Sequence, residues 1–345
     1  MKQFIVSLIG LVCPCLCGAV RYLGLDYTTE MQTDFKGGAN WVNLLRTSLS
    51  FPLARQLTLE AATVSVSETR TEPLLPDLQT FSNIEEADMP LAFALLGVQW
   101  EWGKSSCFIG IRNLNEDYFN SPCTSLFTNS SCGIVPTLSF NFPLPNYPVA
   151  AVGLDYKWTD ERWLVEFSLY NGTARSGFTG RENVFRFCPS TDGILGITSV
   201  SYRQHESSYY LGNALYSGMS VGDAERSEEP AQPAEKREVN WVSWVYAEQR
   251  LGDSGLWLLL HASVAPQVSA GCRTFAGAGL VAHCGKTEGG CFADYARFTG
   301  SYEWAAELTW KIPCLKNGYV QPALHVICNP DLRGAAGLLR FGYVW

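Results

Sequence analysis

The chain closes on "GLLRFGYVW", Gly337 to Trp345. Leu339, Phe341, Tyr343 and Trp345 are large and apolar, with Leu338, Arg340, Gly342 and Val344 between them. Successive side chains of a β-strand point to opposite faces, so the two sets separate. Soluble domains usually end on loose, polar residues. This ending instead predicts a strand held in place to its last residue.

The same alternation runs back through the chain. In "VAAVGLDYKW", Ala150, Val152, Leu154, Tyr156 and Trp158 share one face and Gly153, Asp155 and Lys157 the other. A "TDER" turn follows. Then Trp163, Val165, Phe167 and Leu169 alternate with Glu166, Ser168 and Tyr170, which predicts a hairpin. Trp304, Ala306, Leu308, Trp310 and Ile312 alternate with Ala305, Glu307, Thr309 and Lys311. Leu96, Val98, Trp100 and Trp102 alternate with Gly97, Gln99 and Glu101, and Trp41, Leu45, Leu49 and Phe51 share a side. Helical periodicity over long windows is missing, which excludes an α/β enzyme.

Several apolar faces carry aromatics near their ends and aliphatics between. A lipid-facing strand needs this arrangement. A β-sandwich with one wet face would alternate too, so alternation leaves both architectures open. The ending favours the membrane. In hydrocarbon every backbone N–H and C=O must find a partner, so a spanning sheet has to close on itself. A last strand that pairs with the first leaves no frayed tail. The expected fold is all-β: a closed antiparallel transmembrane barrel over residues 20–345.

Composition agrees. Of 345 residues 13% are aromatic and only 17% charged, against about 25% charged in an average soluble chain. A formal net charge of −8 argues against nucleic acid as a partner. Residues 1–19 read as an export signal: Lys2, an apolar core from Phe4 to Val12, and small residues Cys17 and Ala19 before the cut. No later segment reaches the ~18 apolar residues of a spanning helix.

Export implies an oxidising compartment for the cysteines beyond Cys13, Cys15 and Cys17. Cys123 and Cys132 bracket "TSLFTNSS" and are the expected bridge, and Cys314 and Cys328 could lie across one hairpin. Cys272, His283, Cys284 and Cys291 fit no zinc-finger spacing, so no metal is expected. Residues 222–240, rich in Glu, Ala and Pro, read as a mobile polar loop inside one domain. Pro73 and Pro76 keep "RTEPLLPDLQTFSNIEE" out of any central strand.

One stretch carries specific information: "FIGIRNLNEDYFNSPCTSLFTNSSCGIVPTLSFNFPLPNYPVAAVGLDY", residues 108–156. It resembles the OprB family, the carbohydrate-selective porins of Gram-negative outer membranes. Leu114, Asn115, Glu116 and Asp117 match the family's Leu-Asn-acidic turn. Leu126, Phe127, Asn129, Ser130, Ser131, Gly133, Ile134 and Pro136 match its next element, and Tyr147 and Pro148 its following strand start. "LQTFSNIE" at Leu78 to Glu85 looks like another family element, and Leu308, Thr309, Gln321, Pro322, Asn329 and Pro330 look like its closing strands. The resemblance implies sixteen strands, though fourteen would also fit the length. It implies passive diffusion of small sugars through a water-filled lumen, with no cofactor, in the outer membrane of a Gram-negative bacterium. The implied partners are outer-membrane lipid and the barrel-assembly machinery that reads the last strand. Many porins are homo-oligomers, but no interface signal stands out here.

Sugars are neutral, rich in hydroxyls and apolar on their ring faces. A pore selects by diameter, hydrogen-bonding groups and charge at its constriction. "RNLNEDYFN" supplies that mix, so Arg112, Asn113, Asn115, Glu116, Asp117, Tyr118 and Asn120 are the expected constriction, with Glu85 and Glu86 as further candidates. The plainer alternative is a solvated turn at the barrel rim. His205, His261, His283 and His325 are scattered, so no enzyme is expected; His325 should face the lumen or its rim. An exported carbohydrate-binding β-sandwich and a non-selective diffusion barrel remain the rival readings.

Overall fold

The computed structural model describes residues 21–218, 238–268 and 270–345. The expected export signal lies outside them, as does the expected polar loop up to residue 237. Residues 238–240, the end of that predicted loop, already belong to a strand.

Sixteen strands follow one another along the chain. The first eight are β1 (Tyr22–Thr33), β2 (Ala39–Ala54), β3 (Leu57–Glu68), β4 (Met89–Trp102), β5 (Ser105–Arg112), β6 (Ala151–Thr159), β7 (Trp163–Asn171) and β8 (Ile194–Gln204). The second eight are β9 (Ser207–Gly218), β10 (Glu238–Arg250), β11 (Leu256–Val264), β12 (Cys272–Cys284), β13 (Thr287–Phe298), β14 (Ser301–Cys314), β15 (Gly318–Cys328) and β16 (Arg333–Val344). Each pairs antiparallel with its neighbour in sequence, and β1 pairs with β16, so the sheet closes. Closure rules out the sandwich, whose two sheets keep free edges.

The seam explains the chain's ending. Tyr27 lies opposite Tyr343, Glu30 opposite Arg340 and Thr33 opposite Gly337. The Trp345 amide donates to the Leu25 carbonyl at 3.0 Å, so even the last residue is tied into the wall. Leu339 and Trp345 point outward and are half-exposed, while Leu338 and Arg340 point inward and are buried. On the inner side of the seam the Arg340 guanidinium forms an ion pair with Glu30. Ser82 Oγ donates to the same carboxylate at 2.6 Å, and Arg340 Nη2 donates to Asn83 Oδ1 at 2.6 Å.

Outward positions elsewhere follow the expected alternation. Trp163, Phe167 and Leu169 on β7, and Trp304, Leu308 and Trp310 on β14, are exposed, while Glu166, Ser168, Glu303 and Glu307 are buried. An apolar belt this continuous is untenable in water and natural in lipid. The start of β1, the end of β16 and the short turns (55–56, 103–104, 160–162, 205–206, 251–255, 285–286, 315–317) lie at one end of the barrel; the long connections 69–88, 113–150 and 172–193 lie at the other.

One wall needs glycine. Gly97, Gly110 and Gly153 lie side by side across β4, β5 and β6. A Cβ on Gly97 would meet the Phe108 ring at 2.4 Å, and one on Gly153 the Tyr170 ring at 2.3 Å. Gly110 has φ +154°, and its Cβ would meet the Leu96 carbonyl oxygen at 2.3 Å. The row lets Phe108 and Tyr170 lie flat against the wall, and the Arg112 guanidinium then sits 4.6 Å over the Phe108 ring.

Breaking the seam pair should be costly. Arg340→Met leaves the Glu30 carboxylate buried without its cation, a loss of roughly 3–5 kcal/mol. The expected outcome is a lower urea midpoint for the folded barrel in detergent, read from its heat-modifiable migration. The double variant Glu30→Gln/Arg340→Met should regain most of that loss.

Candidate functional site

Residues 113–150 fold back into the barrel. Pro122, Pro136, Pro143, Pro145 and Pro148 forbid a long helix or a ladder strand there. The segment forms single helical turns instead, at Leu114–Glu116, Thr124–Leu126, Ser130–Cys132 and Pro136–Ser139. A single turn leaves most of its backbone N–H groups without intrahelical partners. Inside the barrel those groups must be satisfied, because a buried orphan costs about 1–3 kcal/mol.

Wall carboxylates satisfy them. Glu248 of β10 accepts from the amides of Cys123 at 2.8 Å and Thr124 at 3.3 Å, and from the Ser121 hydroxyl. Glu307 of β14 accepts from the amides of Thr128 at 2.8 Å and Asn129 at 3.0 Å, and from Thr128 Oγ1 at 2.9 Å. Segment 69–88 is held likewise: Glu303 of β14 accepts from the amides of Leu78 at 2.7 Å and Gln79 at 2.9 Å. Asp294 of β13 receives the side-chain amides of Gln79 at 2.8 Å and Asn129 at 3.2 Å, and so ties the two segments to one point. His325 faces the lumen, as expected, and its Nε2 shares a hydrogen bond with Thr128 Oγ1 at 3.0 Å. Apolar contacts complete the docking: Phe127 lies on Phe292, Phe142 on Tyr216 and Phe119 on Trp244, with centroids 5.4, 4.6 and 5.1 Å apart.

This anchoring overturns the expected Cys123–Cys132 bridge. Cys123 is pinned to β10, and the residues just before Cys132 are pinned to β14. Both thiols are free and buried, and all nine described cysteines are free. Cys314 and Cys328 sit at opposite ends of their hairpin, opposite Gly318 and Trp304 respectively, so they cannot meet either.

The expected constriction residues divide in two. Arg112, Asn113, Asp117 and Tyr118 are buried against the wall. Asp117 sits between the cations of Arg112 and Lys157, and Lys157 also reaches Glu166 at 3.3 Å. Tyr118 Oη shares a hydrogen bond with Ser168 Oγ at 2.7 Å, and burial pushes its phenol far above the usual range. These residues hold the segment and do not face the opening. Glu116 meets Arg46 of β2 in a two-pronged pair at 2.7 and 2.9 Å, partly open to solvent.

Asn115, Asn120, Glu85 and Glu86 do face a common space. They line a cavity of about 540 Å³ between the two inward segments. Asn115 Oδ1 accepts from the Tyr147 amide at 2.8 Å, and Asn120 Nδ2 donates to the Asn115 carbonyl at 2.5 Å. Sequence reasoning missed the remaining key walls, namely Asn83, Phe119, Phe140, Tyr147 and Arg340. Arg340 was visible on the inner face of the last strand, and Tyr147 lay within the quoted motif. Nothing in the spacing told that they would share a cavity. Burial, then the nearby Asp77 and Glu68 carboxylates, push the Glu85 carboxyl up to about 7. Glu86 is raised chiefly by burial.

A closed barrel with short turns at one end, long connections at the other and one connection folded inside is the architecture of an outer-membrane porin. The family model described as "Carbohydrate-selective porin, OprB family" matches residues 26–288. The chain belongs to that family, and it is a passive porin of the Gram-negative outer membrane. Among solved structures it is similar to the high-pH structure of Pseudomonas putida OprB, with TM-score 0.76 and 14% identity over 100% of this chain and 97% of that one. The low-pH structure of the same protein gives 0.61 and 12%, over 100% and 96%. A loop-deletion mutant of OmpT, an outer membrane protein of Vibrio cholerae, gives 0.62 and 9%, over 94% and 98%. No curated protein matches in sequence.

The carboxylate anchors generate a prediction. Glu307→Ala and Glu248→Ala each orphan two backbone amides, at about 1–3 kcal/mol apiece. Both variants should still insert as closed barrels. Their single-channel conductance in planar bilayers should rise and become noisy, as residues 113–150 lose their fixed position.

Proposed function

We propose that solutes pass through the cavity between segments 78–86 and 115–147, and that its walls select sugars. The observation that carries this reading is the mixture of groups on one space. Asn83, Asn115, Asn120 and Glu86 offer amides and carboxylate to hydroxyls, while Phe140 and Tyr147 offer faces to an apolar ring. Phe140 is half-exposed, as a stacking platform must be. A volume of about 540 Å³ lies within the ~300–1,000 Å³ range of small-molecule sites. Arg112, Asp117 and Tyr118 act one step back, by fixing the segment that carries Asn115 and Asn120.

Transport on this reading is diffusion down a gradient, without covalent chemistry or cofactor. The sealed strand β16 is the feature that barrel-assembly machinery would read. The charge of the cavity follows from Glu85 and Glu86, since the charged groups that perturb them are other carboxylates: Asp77, Glu68 and Glu30 for Glu85, and Glu68 for Glu86. Arg340, the lining cation, is committed to Glu30.

Two measurements test the reading. Liposomes carrying the refolded protein should swell quickly in neutral hexoses and progressively more slowly in longer oligosaccharides. Phe140→Ala should slow hexose entry while sparing an ion of similar size. In bilayers under a salt gradient, the reversal potential at pH 8 should favour cations. Glu85 is charged above about 7 and neutral below, so that preference should fade towards pH 5 and be absent from Glu85→Gln/Glu86→Gln.

A further inference from the structure

Connection 172–193, between β7 and β8, leaves the lumen and folds over the outside of the barrel. The Arg175 amide donates to the Ala150 carbonyl at 2.9 Å, just before β6 begins. The Val184 amide then closes the connection onto the Gly177 carbonyl at 2.9 Å. Val184 is buried against Ile111 and Ala150. Both belong to the outward set: Ile111 shares a face with Ile109, which is 61% exposed, and Ala150 shares one with the exposed Leu154. Phe178 and Phe185 meet the ring of Phe93 on β4 edge-on, with centroids 5.7 and 5.9 Å away.

The outer surface of this flap is apolar. Phe178, Phe185 and Phe187 are 44, 50 and 64% exposed. Such a cluster beyond the rim of a soluble protein would be a liability. Here it adjoins the lipid-facing belt through Phe93, Ile111 and Ala150. It also fills a gap. At the long-connection end β2, β10 and β14 carry outward Trp41, Trp241, Tyr302 and Trp304, whereas β5 and β6 offer only Ile111, Ala150 and Val152. The flap supplies the interfacial aromatics those strands lack. Arg181 and Arg186 are interspersed among the phenylalanines, with Glu182 as the acid between the two. Arg181 is exposed, and Arg186 leans towards Thr191 at 3.2 Å and Asp192 at 3.8 Å.

We propose that residues 177–187 dock into the outer leaflet, with Phe178, Phe185 and Phe187 among acyl chains and Arg181 and Arg186 against the phosphates of an acylated, phosphorylated glycolipid. The occupant follows from the contact of the patch with the lipid belt and from its interspersed arginines. The end of the barrel bearing the long connections is the outward one in such proteins, and the outer leaflet there is built of phosphorylated glycolipid. A second copy of the chain is the rival occupant. The inference does not depend on which solute the pore passes.

The test uses the full-length protein in native outer membranes. Photo-reactive benzoyl-phenylalanine replaces Phe187, and in a control Glu161 of a short turn at the far end. Illumination should give an adduct at 187 that stains for lipid A, and none at 161. Arg181→Gln, which removes an exposed side chain, should cut lipid A retained through detergent purification roughly fivefold. Its heat-modifiable migration should be unchanged. A doubled-mass adduct at 187 would show the surface to be a contact between copies and overturn the proposal. So would an absent lipid adduct, or unchanged lipid A retention by Arg181→Gln.

Discussion

Hydrocarbon gives a backbone amide nothing to bond to, and that constraint organises the molecule. A sheet surrounded by lipid tolerates no edge. The register at the seam therefore matters more than any single contact in the wall. Opposing Tyr27 to Tyr343 sets the register on the outer aromatic positions, and the Glu30–Arg340 pair marks it inside. A one-residue slip would put Arg340 into lipid and Leu339 into the lumen, since the side-chain period is two. The charge is thus a register device as well as a bond.

The same accounting recurs within the lumen. The inward segments are too broken by proline to pair their own amides, and the barrel wall answers with acids rather than with another strand. Glu248, Glu303 and Glu307 each take two amides of a docked segment. Beside these polar clamps lies an apolar interior in which Leu126, Phe127, Leu138 and Phe142 meet Phe275 and Phe292. Asn115, Asn120 and Glu85 stand apart from it, on the wall of the open cavity.

Much of the fold was legible because period-2 alternation is a local signal. Leu339, Phe341, Tyr343 and Trp345 announced an outward face, and the structure places that face outward. The carboxylates of Glu166, Glu303 and Glu307 were equally visible as inner residues. What Glu303 and Glu307 bind was not, because their partners are backbone amides about 180 to 225 positions away, and a backbone amide has no letter in the sequence. The site suffered from the same blindness. "RNLNEDYFN" carried the right chemistry for a constriction, yet Arg112 and Asp117 neutralise one another against the wall while Asn115 and Asn120 reach the opening. Composition marks a stretch as polar; only the path of the chain decides which of its side chains meet solvent. The cysteine bridge failed for that reason too, since proximity in sequence was undone by two anchors on separate strands.

Residues 113–150 enter from the β5–β6 side and are fastened to β10, β13 and β14 on the opposite arc. That makes the segment a strut across the diameter. A hollow cylinder squeezed sideways by a bilayer tends to flatten into an ellipse, and a brace fixed at both walls resists that deformation. The narrowing of the channel and the stiffness of its cross-section are therefore one property, so a wider bore obtained by removing the brace would come with a more compressible barrel.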